Sequence, residues 1–138
     1  MSALSDRATV EAANARFYRA FEELDIEAMD AMWMHDEHVK CVHPGWPLLT
    51  GWKAVRESWA AIFANTEEMR FTISDVRVDA RRDLAWVTCT ENILSDVRGR
   101  VSVTAILATN LFARIDNAWL MVHHHASHVL APGPAGEA

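Results

Sequence analysis

The stretch AWLMVHHHASHVL, residues 118–130, carries three consecutive histidines and a fourth inside a run that is otherwise mainly apolar. This run follows the polar turn residues RIDN, and its pattern predicts a β-strand. Side chains alternate between the two faces of a strand. One face is then expected to carry Trp119, Met121, His123, His125 and Ser127. The triple histidine is therefore expected to be a pair, His123 and His125, with His124 on the opposite face.

Three segments between residues 69 and 115 alternate polar and apolar residues with a period of two. They read MRFTISDVRVDA, LAWVTCTENILS and VSVTAILATNLFARI, and short polar turns separate them. Together with the last strand they predict an antiparallel meander. The alternation slips by one residue near Ser74 and Asp75, which indicates a β-bulge.

Helical periodicity dominates the N-terminal half of the chain. The segment SDRATVEAANARFYRAFEEL predicts a helix capped by Ser5, LDIEAMDAMWM a second capped by Asp25, and TGWKAVRESWAAIFANT a third capped by Thr50. Between the second and third, HVKCVHP predicts a short strand, followed by the loop PGWPLLTG. Asn14 falls on the apolar face of the first helix, so it either lies at a solvated edge or faces a cavity. Trp59 lies on the apolar face of the third helix.

Helices first and strands second indicate an α+β fold. We expect a cone of three N-terminal helices packed on a strongly curved antiparallel sheet, in the order helix, helix, strand, helix and four-strand meander. A chain of 138 residues fits one domain, which we assign to residues 1–131. The Pro-, Gly- and Ala-rich tail, residues 132–138, is expected to be disordered.

The net charge is −6 at pH 7, and the sequence has no basic cluster, which argues against nucleic acid or an anionic membrane as a partner. We recognise no secretory leader and no apolar run near the ~20 residues that a membrane span needs. Cys41 and Cys89 lie in apolar, strand-like contexts and predict buried free thiols, so we expect a cytoplasmic protein. The sequence contains no phosphate-binding loop and no nucleophile motif, and we expect no cofactor.

Glu91 shares its predicted strand face with small residues that leave room for helices. A buried carboxylate must be paired or protonated. Beside a histidine, Glu91 becomes a candidate general base or a ligand clamp. The alternative is that Glu91 lies at an exposed strand end or in a dimer contact.

Two histidines at positions i and i+2 of a strand can both reach one zinc ion. His43, Glu91 or Asp96 would have to supply a third ligand, and no spacing motif elsewhere supports such a site. Histidines that donate and accept hydrogen bonds in a polar cavity are the favoured interpretation, and we expect no metal.

The opposite faces of the meander strands are also apolar. In a monomer they would form an exposed convex patch of Trp86, Leu107, Leu111, Leu120 and Val122. Patches of this kind mark protein interfaces, so we expect a homodimer through the convex face, with two-fold symmetry.

Three stretches resemble the nuclear transport factor 2-like superfamily, in particular its SnoaL-like (polyketide cyclase-like) members. The nearest pattern is that of the calcium/calmodulin-dependent protein kinase II association domain and its bacterial stand-alone relatives. LDIEAMDAM is similar to the family's Gly-Asp-x-Glu-Ala helix start, with Leu24 in place of Gly. CVHP is similar to a Cys-Phe-Glu-Pro segment, with His43 in place of the acidic residue. WLMVHHHAS fits Trp-x-x-Val-His-x-His-x-Ser.

The resemblance covers residues 7–132 and implies a cone-shaped domain with an interior cavity. It places Glu91 and Asn110 where the kinase domain has cavity arginines, and His123 and His125 where it has histidines. A cavity without those arginines is neutral to acidic, which favours a neutral or basic polar ligand as much as a carboxylate.

We therefore expect a homodimeric domain that binds a small polar organic molecule. The candidate ligand-binding residues are His123, His125, Glu91, Asn110, His43, Asn14 and Trp59. One alternative is an isomerase, dehydratase or cyclase in which Glu91 works with His125 or His123 as an acid–base pair. The other is a non-catalytic oligomerisation domain.

Overall fold

The computed structural model describes residues 3–130, with side chains from Asp6 onward. The predicted tail, residues 132–138, lies outside this range. The chain forms α1 (Ala3–Glu22), α2 (Ile26–Met32), β1 (Lys40–Val42), β2 (Leu49–Thr50), α3 (Trp52–Ala64), β3 (Glu68–Arg81), β4 (Leu84–Val97), β5 (Arg100–Ile115) and β6 (Ala118–His128). The predicted fold class is confirmed. The two-residue β2, within the segment predicted as a loop, is an addition.

All six strands form one sheet in the order β2-β1-β6-β5-β4-β3. The meander from β3 to β6 is antiparallel, while β1 lies parallel to β6. The sheet is therefore mixed at this one pair, which short-range alternation could not predict. The helices cover one face, called here the inner face, and leave the outer face open.

Two of the three predicted helix caps are wrong. α1 already begins at Ala3, so Ser5 lies inside it. α3 is preceded by Gly51 at φ 91°, a left-handed conformation that glycine adopts without steric cost, while Thr50 belongs to β2. Asp25 is confirmed as the cap of α2, because its Oδ1 accepts hydrogen bonds from the backbone N–H groups of residues 27 and 28.

Leu24, just beyond the C-terminus of α1, adopts the left-handed conformation, with φ 55°. The backbone N–H of Leu24 donates to Phe21 O and that of Asp25 to Ala20 O, which is the Schellman arrangement at a helix C-terminus. Glycine is the usual residue here, and this is the position where the related pattern carries Gly.

Two β-bulges set the phase of the sheet. The predicted bulge in β3 is confirmed between Ser74 and Arg77. A second bulge, in β6, was not predicted: Leu111 pairs with His123, but the next residue, Phe112, pairs with Met121, which leaves Val122 unmatched.

The β6 bulge reverses the alternation that follows it. His124 and Ala126 therefore face inward and are buried, at 1% and 2% exposure. His123 is only half-buried and His125 is exposed. The predicted placement of His123 and His125 on the inner face is wrong, because an unmatched residue shifted the register by one.

The inner face and the helices enclose an aromatic core. Phe17 lies at its centre, with ring centroids 4.8 Å from Tyr18, 5.7 Å from Trp59 and 5.1 Å from His124. Polar side chains thus lie directly against the core rather than at its margin. Among residues 3–130, no helix is long and apolar enough to cross a membrane.

Candidate ligand-binding site

A buried hydrogen-bond network joins α1 to the centre of the sheet. Tyr18 Oη donates to Glu91 Oε2 at 2.5 Å. Asn110 Nδ2 donates to Asn14 Oδ1 at 2.9 Å and to Tyr18 Oη at 3.1 Å. These residues come from α1, β4 and β5, and none is more than 4% exposed. Asn14 and Tyr18 are one helical turn apart, so both point at the same part of the sheet.

His124 extends this network along β6. Its Nδ1 lies 2.6 Å from Asn110 Oδ1. An amide oxygen only accepts hydrogen bonds, so Nδ1 carries the proton and Nε2 keeps its lone pair. Burial and then His43 lower the pKa of His124 well below 6.5. His124 is therefore a neutral imidazole whose tautomer is set by Asn110.

Glu91 is the one carboxylate in the network, and Tyr18 is its hydrogen-bond partner there. Burial raises the pKa of Glu91 to about 7, against a smaller opposing effect of the Tyr18 hydrogen bond. Burial, and then the charge of Glu91, raise the pKa of Tyr18 well above 10. The Cys89 thiol, 3.4 Å from Tyr18 Oη, has a pKa of about 11, mainly because it is buried. Near neutral pH, Glu91 is thus the member of this group that titrates.

A second polar cluster, next to the first, lies between β1 and α3. Ser58 Oγ donates its proton to Val55 O at 2.6 Å, so His43 Nε2 must be the donor in its 2.8 Å bond to Ser58 Oγ. Burial lowers the pKa of His43 to about 4. The ring of Trp59 packs edge-on against His43 at 4.7 Å and lies 5.6 Å from His124.

An open cleft of about 400 Å³ lies between α1 and β3. Its lining residues are Glu11, Asn14, Ala15, Tyr18, Arg19, Glu22, Phe71, Ile73 and Val76. Asn14 and Tyr18 belong both to this cleft and to the buried network. A molecule in the cleft would therefore meet the network directly, with Glu91 behind Tyr18.

The candidate residues separate into three groups. The structure brings Asn14, Glu91 and Asn110 into one network, and it places His43 and Trp59 next to His124. His123 and His125 lie on the outer face, across the sheet from Glu91. Glu91 accepts a hydrogen bond from Tyr18 and contacts neither of these histidines. The expected pairing of Glu91 with His123 or His125 is therefore wrong. Within residues 3–130, no group of three or more His, Cys, Asp or Glu side chains is arranged to hold a metal ion.

Sequence reasoning missed Tyr18 and His124. Tyr18 lies four residues after Asn14, and this spacing would have placed both on one helix face. His124 was excluded by strict alternation, and no residue in the run MVHHHAS marks where the bulge falls.

Comparisons with known proteins agree with this architecture. A proposed dehydratase of the nuclear transport factor 2-like family from Streptomyces avermitilis is 42% identical, with a TM-score of 0.89 over 94% of this chain and 100% of that one. A proposed calcium/calmodulin-dependent protein kinase type II association domain from Thiobacillus denitrificans is 35% identical, with a TM-score of 0.78 over 88% of this chain and 96% of that one.

The F-box protein SKIP8 of Arabidopsis thaliana is 31% identical over 117 residues, or 85% of this chain. The chain spans about half the length of that relative, 48%. The model of the SnoaL-like domain matches residues 10–132. The chain therefore belongs to the SnoaL-like family, within the nuclear transport factor 2-like fold.

Proposed function

We propose that the protein binds a small organic molecule in the cleft between α1 and β3. The observation that carries this proposal is that Asn14 and Tyr18 line the cleft and also belong to the buried network. A ligand there would place its polar end on the amide and phenol groups. Its apolar body would pack on Phe71, Ile73 and Val76. Few polar groups in a mainly apolar concavity are typical of small-molecule sites.

The charges at the rim favour a neutral or basic ligand. Glu11 and Glu22 contribute two carboxylates to the lining, against the single guanidinium of Arg19. The carboxylate of Glu22 also accepts a hydrogen bond from the Phe71 backbone N–H at 2.8 Å, which joins the two walls. An anionic ligand would meet net repulsion at this rim.

Two alanines on α1 allow a matched test. Ala15 lines the cleft, whereas Ala12 is also exposed but is not among the lining residues. Native mass spectrometry after incubation with a metabolite extract should show an adduct on the wild type and on Ala12→Trp, but not on Ala15→Trp. An adduct that persists on Ala15→Trp would contradict binding in this cleft.

A second candidate function is acid–base catalysis on the bound molecule. It is supported by the pKa of Glu91, raised to about 7 by burial, since a general base works best when its pKa lies near the operating pH. The 42% identical relative described as a proposed dehydratase points to the same class of chemistry.

Glu91→Gln tests catalysis separately from binding. If the protein is an enzyme, the captured molecule should be converted by the wild type and not by Glu91→Gln, although both variants bind it. Conversion at the wild-type rate by Glu91→Gln would exclude Glu91 as the base.

We also propose a homodimer through the outer face. Leu107 is 50% exposed on β5, and Trp86, Leu111 and Leu120 around it are only half-buried. A pure assembly role, as in the proposed association domain that is 35% identical, would need this surface and not the cleft.

Sedimentation equilibrium tests the dimer. Leu107→Glu should yield monomers, whereas Leu48→Glu, at a site with a similar exposure of 56% in the loop before β2, should leave the dimer intact. A wild type that sediments as a monomer would contradict the proposal.

A cytoplasmic location is proposed from the thiols. Cys41 and Cys89 are both free and buried, as is typical of proteins in reducing compartments. Fractionation of cells that make the protein should recover it with cytoplasmic markers. Recovery with another compartment would contradict the proposal.

A further inference from the structure

The hydroxyl of Tyr18 has one proton to donate and two lone pairs with which to accept. It donates to Glu91 Oε2 at 2.5 Å and accepts from Asn110 Nδ2 at 3.1 Å. While this arrangement holds, the tyrosine that lines the cleft has no proton to offer to a molecule inside it.

We propose that protonation of Glu91 reverses the Glu91–Tyr18 hydrogen bond and frees the Tyr18 hydroxyl to donate into the cleft, which then takes a neutral molecule through a hydrogen-bond-accepting oxygen such as a carbonyl. The inference rests on the proposed binding function of this cleft and adds to it the chemical class of the ligand.

The reversal adds one proton, to Glu91, and removes none from Tyr18. A proton from solvent binds to Glu91 Oε2, and the resulting carboxylic acid donates it to a lone pair of Tyr18 Oη. Asn110 Nδ2 continues to donate to the other lone pair. The phenol keeps its own proton and rotates it from Glu91 toward the cleft, so no proton leaves Tyr18.

None of the buried side chains around Glu91 and Tyr18 changes its charge near neutral pH, so Glu91 is the group that titrates there. On the strands, the neighbours are the thiols of Cys89 and Cys41, whose pKa values are raised mainly by burial, and His124, which burial keeps neutral. β5 contributes the uncharged Asn110, and β3 contributes Phe71 and Ile73. Of the charged residues of α1, Glu11, Arg19 and Glu22 line the cleft.

The single tyrosine of the chain makes the reversal directly observable. Protein labelled with ¹³C at the tyrosine ζ carbon gives one signal, which reports on the hydrogen bonds of Tyr18 Oη. In the wild type this signal should move in one step near the Glu91 pKa of about 7. In Glu91→Gln it should stay constant between pH 5 and 9. A wild-type signal that does not move over this range would overturn the reversal, whether or not the variant folds.

Acetophenone and ethylbenzene provide a matched pair of probes, since they have similar apolar bodies but only acetophenone has a carbonyl. On the wild type, acetophenone should bind about three- to tenfold more tightly at pH 5.5 than at pH 8.5, the gain of one neutral hydrogen bond. Ethylbenzene should bind equally at both pH values. Equal acetophenone affinity at the two pH values would overturn the inference, whereas failure of both probes to bind would contradict the proposed function of the cleft.

Discussion

Glu91 is a buried side chain whose negative charge destabilises the fold. It is 2% exposed and accepts a hydrogen bond from Tyr18, and no cation is among the causes that shift its pKa. A buried carboxylate without a cation favours its protonated form. The folded protein therefore binds a proton more tightly at Glu91 than the unfolded chain does.

Stability should depend on pH through Glu91 with a defined sign. Its pKa is raised from 4.5 to about 7 in the folded protein, so the folded state holds the extra proton between these values. The stability that protonated Glu91 provides is complete below pH 4.5 and is lost as pH rises toward 7, a loss of up to about 3 kcal/mol.

The difference between Glu91→Gln and the wild type isolates this effect. In urea unfolding from pH 4.5 to 8, the variant should gain stability relative to the wild type as pH rises. A difference that does not change with pH would show that Glu91 has an ordinary pKa.

The Tyr18 hydroxyl should matter for stability as much as for binding. Tyr18→Phe keeps the ring but leaves Glu91 without its buried hydrogen-bond partner and removes one of the partners of Asn110, so we expect a loss of about 1–3 kcal/mol. Urea unfolding measures this loss. In a Glu91→Gln background the loss should differ, because the two side chains are coupled through one hydrogen bond; strictly additive losses would contradict the contact.

Among the strands, β6 carries the largest difference between expectation and structure. Period-two alternation holds along the inner faces of β4 and β5: Ala85, Val87, Cys89 and Glu91 are all buried, as are Ile106, Ala108, Asn110 and Phe112. In β6 the same rule failed beyond Val122. A bulge in an apolar run changes the register without changing the residue types, so the sequence carries no local signal for it.

Alanine substitution along β6 tests this register. His124→Ala should cost about 2–4 kcal/mol, because it leaves a cavity and an unpaired Asn110 Oδ1. His123→Ala and His125→Ala should each cost less than about 1 kcal/mol, since both lie on the open outer face. The three values come from thermal or urea unfolding under one set of conditions. A larger loss of stability for His125→Ala than for His124→Ala would contradict the bulge and support strict alternation along β6.

Helix starts and long-range pairing mark the other limits of prediction. The sequence predicted the existence and order of the helices, because their apolar faces span several turns. Gly51 replaced Thr50 as the cap because the backbone there needs a positive φ, which the cap preference of Thr does not reveal. The parallel pairing of β1 with β6 joins residues about 80 positions apart and has no signature in a three-residue strand.

The complete fold should be sensitive to acid because it buries two neutral histidines. Burial lowers the pKa of His43 from 6.5 to about 4 and that of His124 in the same direction. As pH falls below 6.5, these histidines become protonated in the unfolded chain but stay neutral in the folded protein. They therefore lower the free energy of unfolding progressively down to about pH 4.

His43→Gln retains a donor for Ser58 but does not titrate. Relative to the wild type, it should become more stable as pH falls from 6.5 to 4. The contribution of Glu91 has the opposite sign in this window, so each effect is read from its own variant and not from the wild-type curve. A pH-independent difference for His43→Gln would show that His43 protonates normally in the folded protein.

Taken together, the cone brings one polar network from the centre of its sheet to a cleft at its edge. The helices exclude water from Glu91, Asn110 and His124, while Tyr18 and Asn14 face both the network and the cleft. The outer face carries the half-buried His123 and the exposed His125. The proposed binding cleft and the proposed dimer contact thus lie on opposite faces of the same sheet.

A crystal structure of the protein with the small molecule recovered by native mass spectrometry tests this division most directly. We expect the molecule between α1 and β3, with a polar atom within hydrogen-bond distance of Tyr18 Oη or Asn14 and its apolar part against Phe71. A molecule bound instead to His123 and His125 on the outer face would contradict the account.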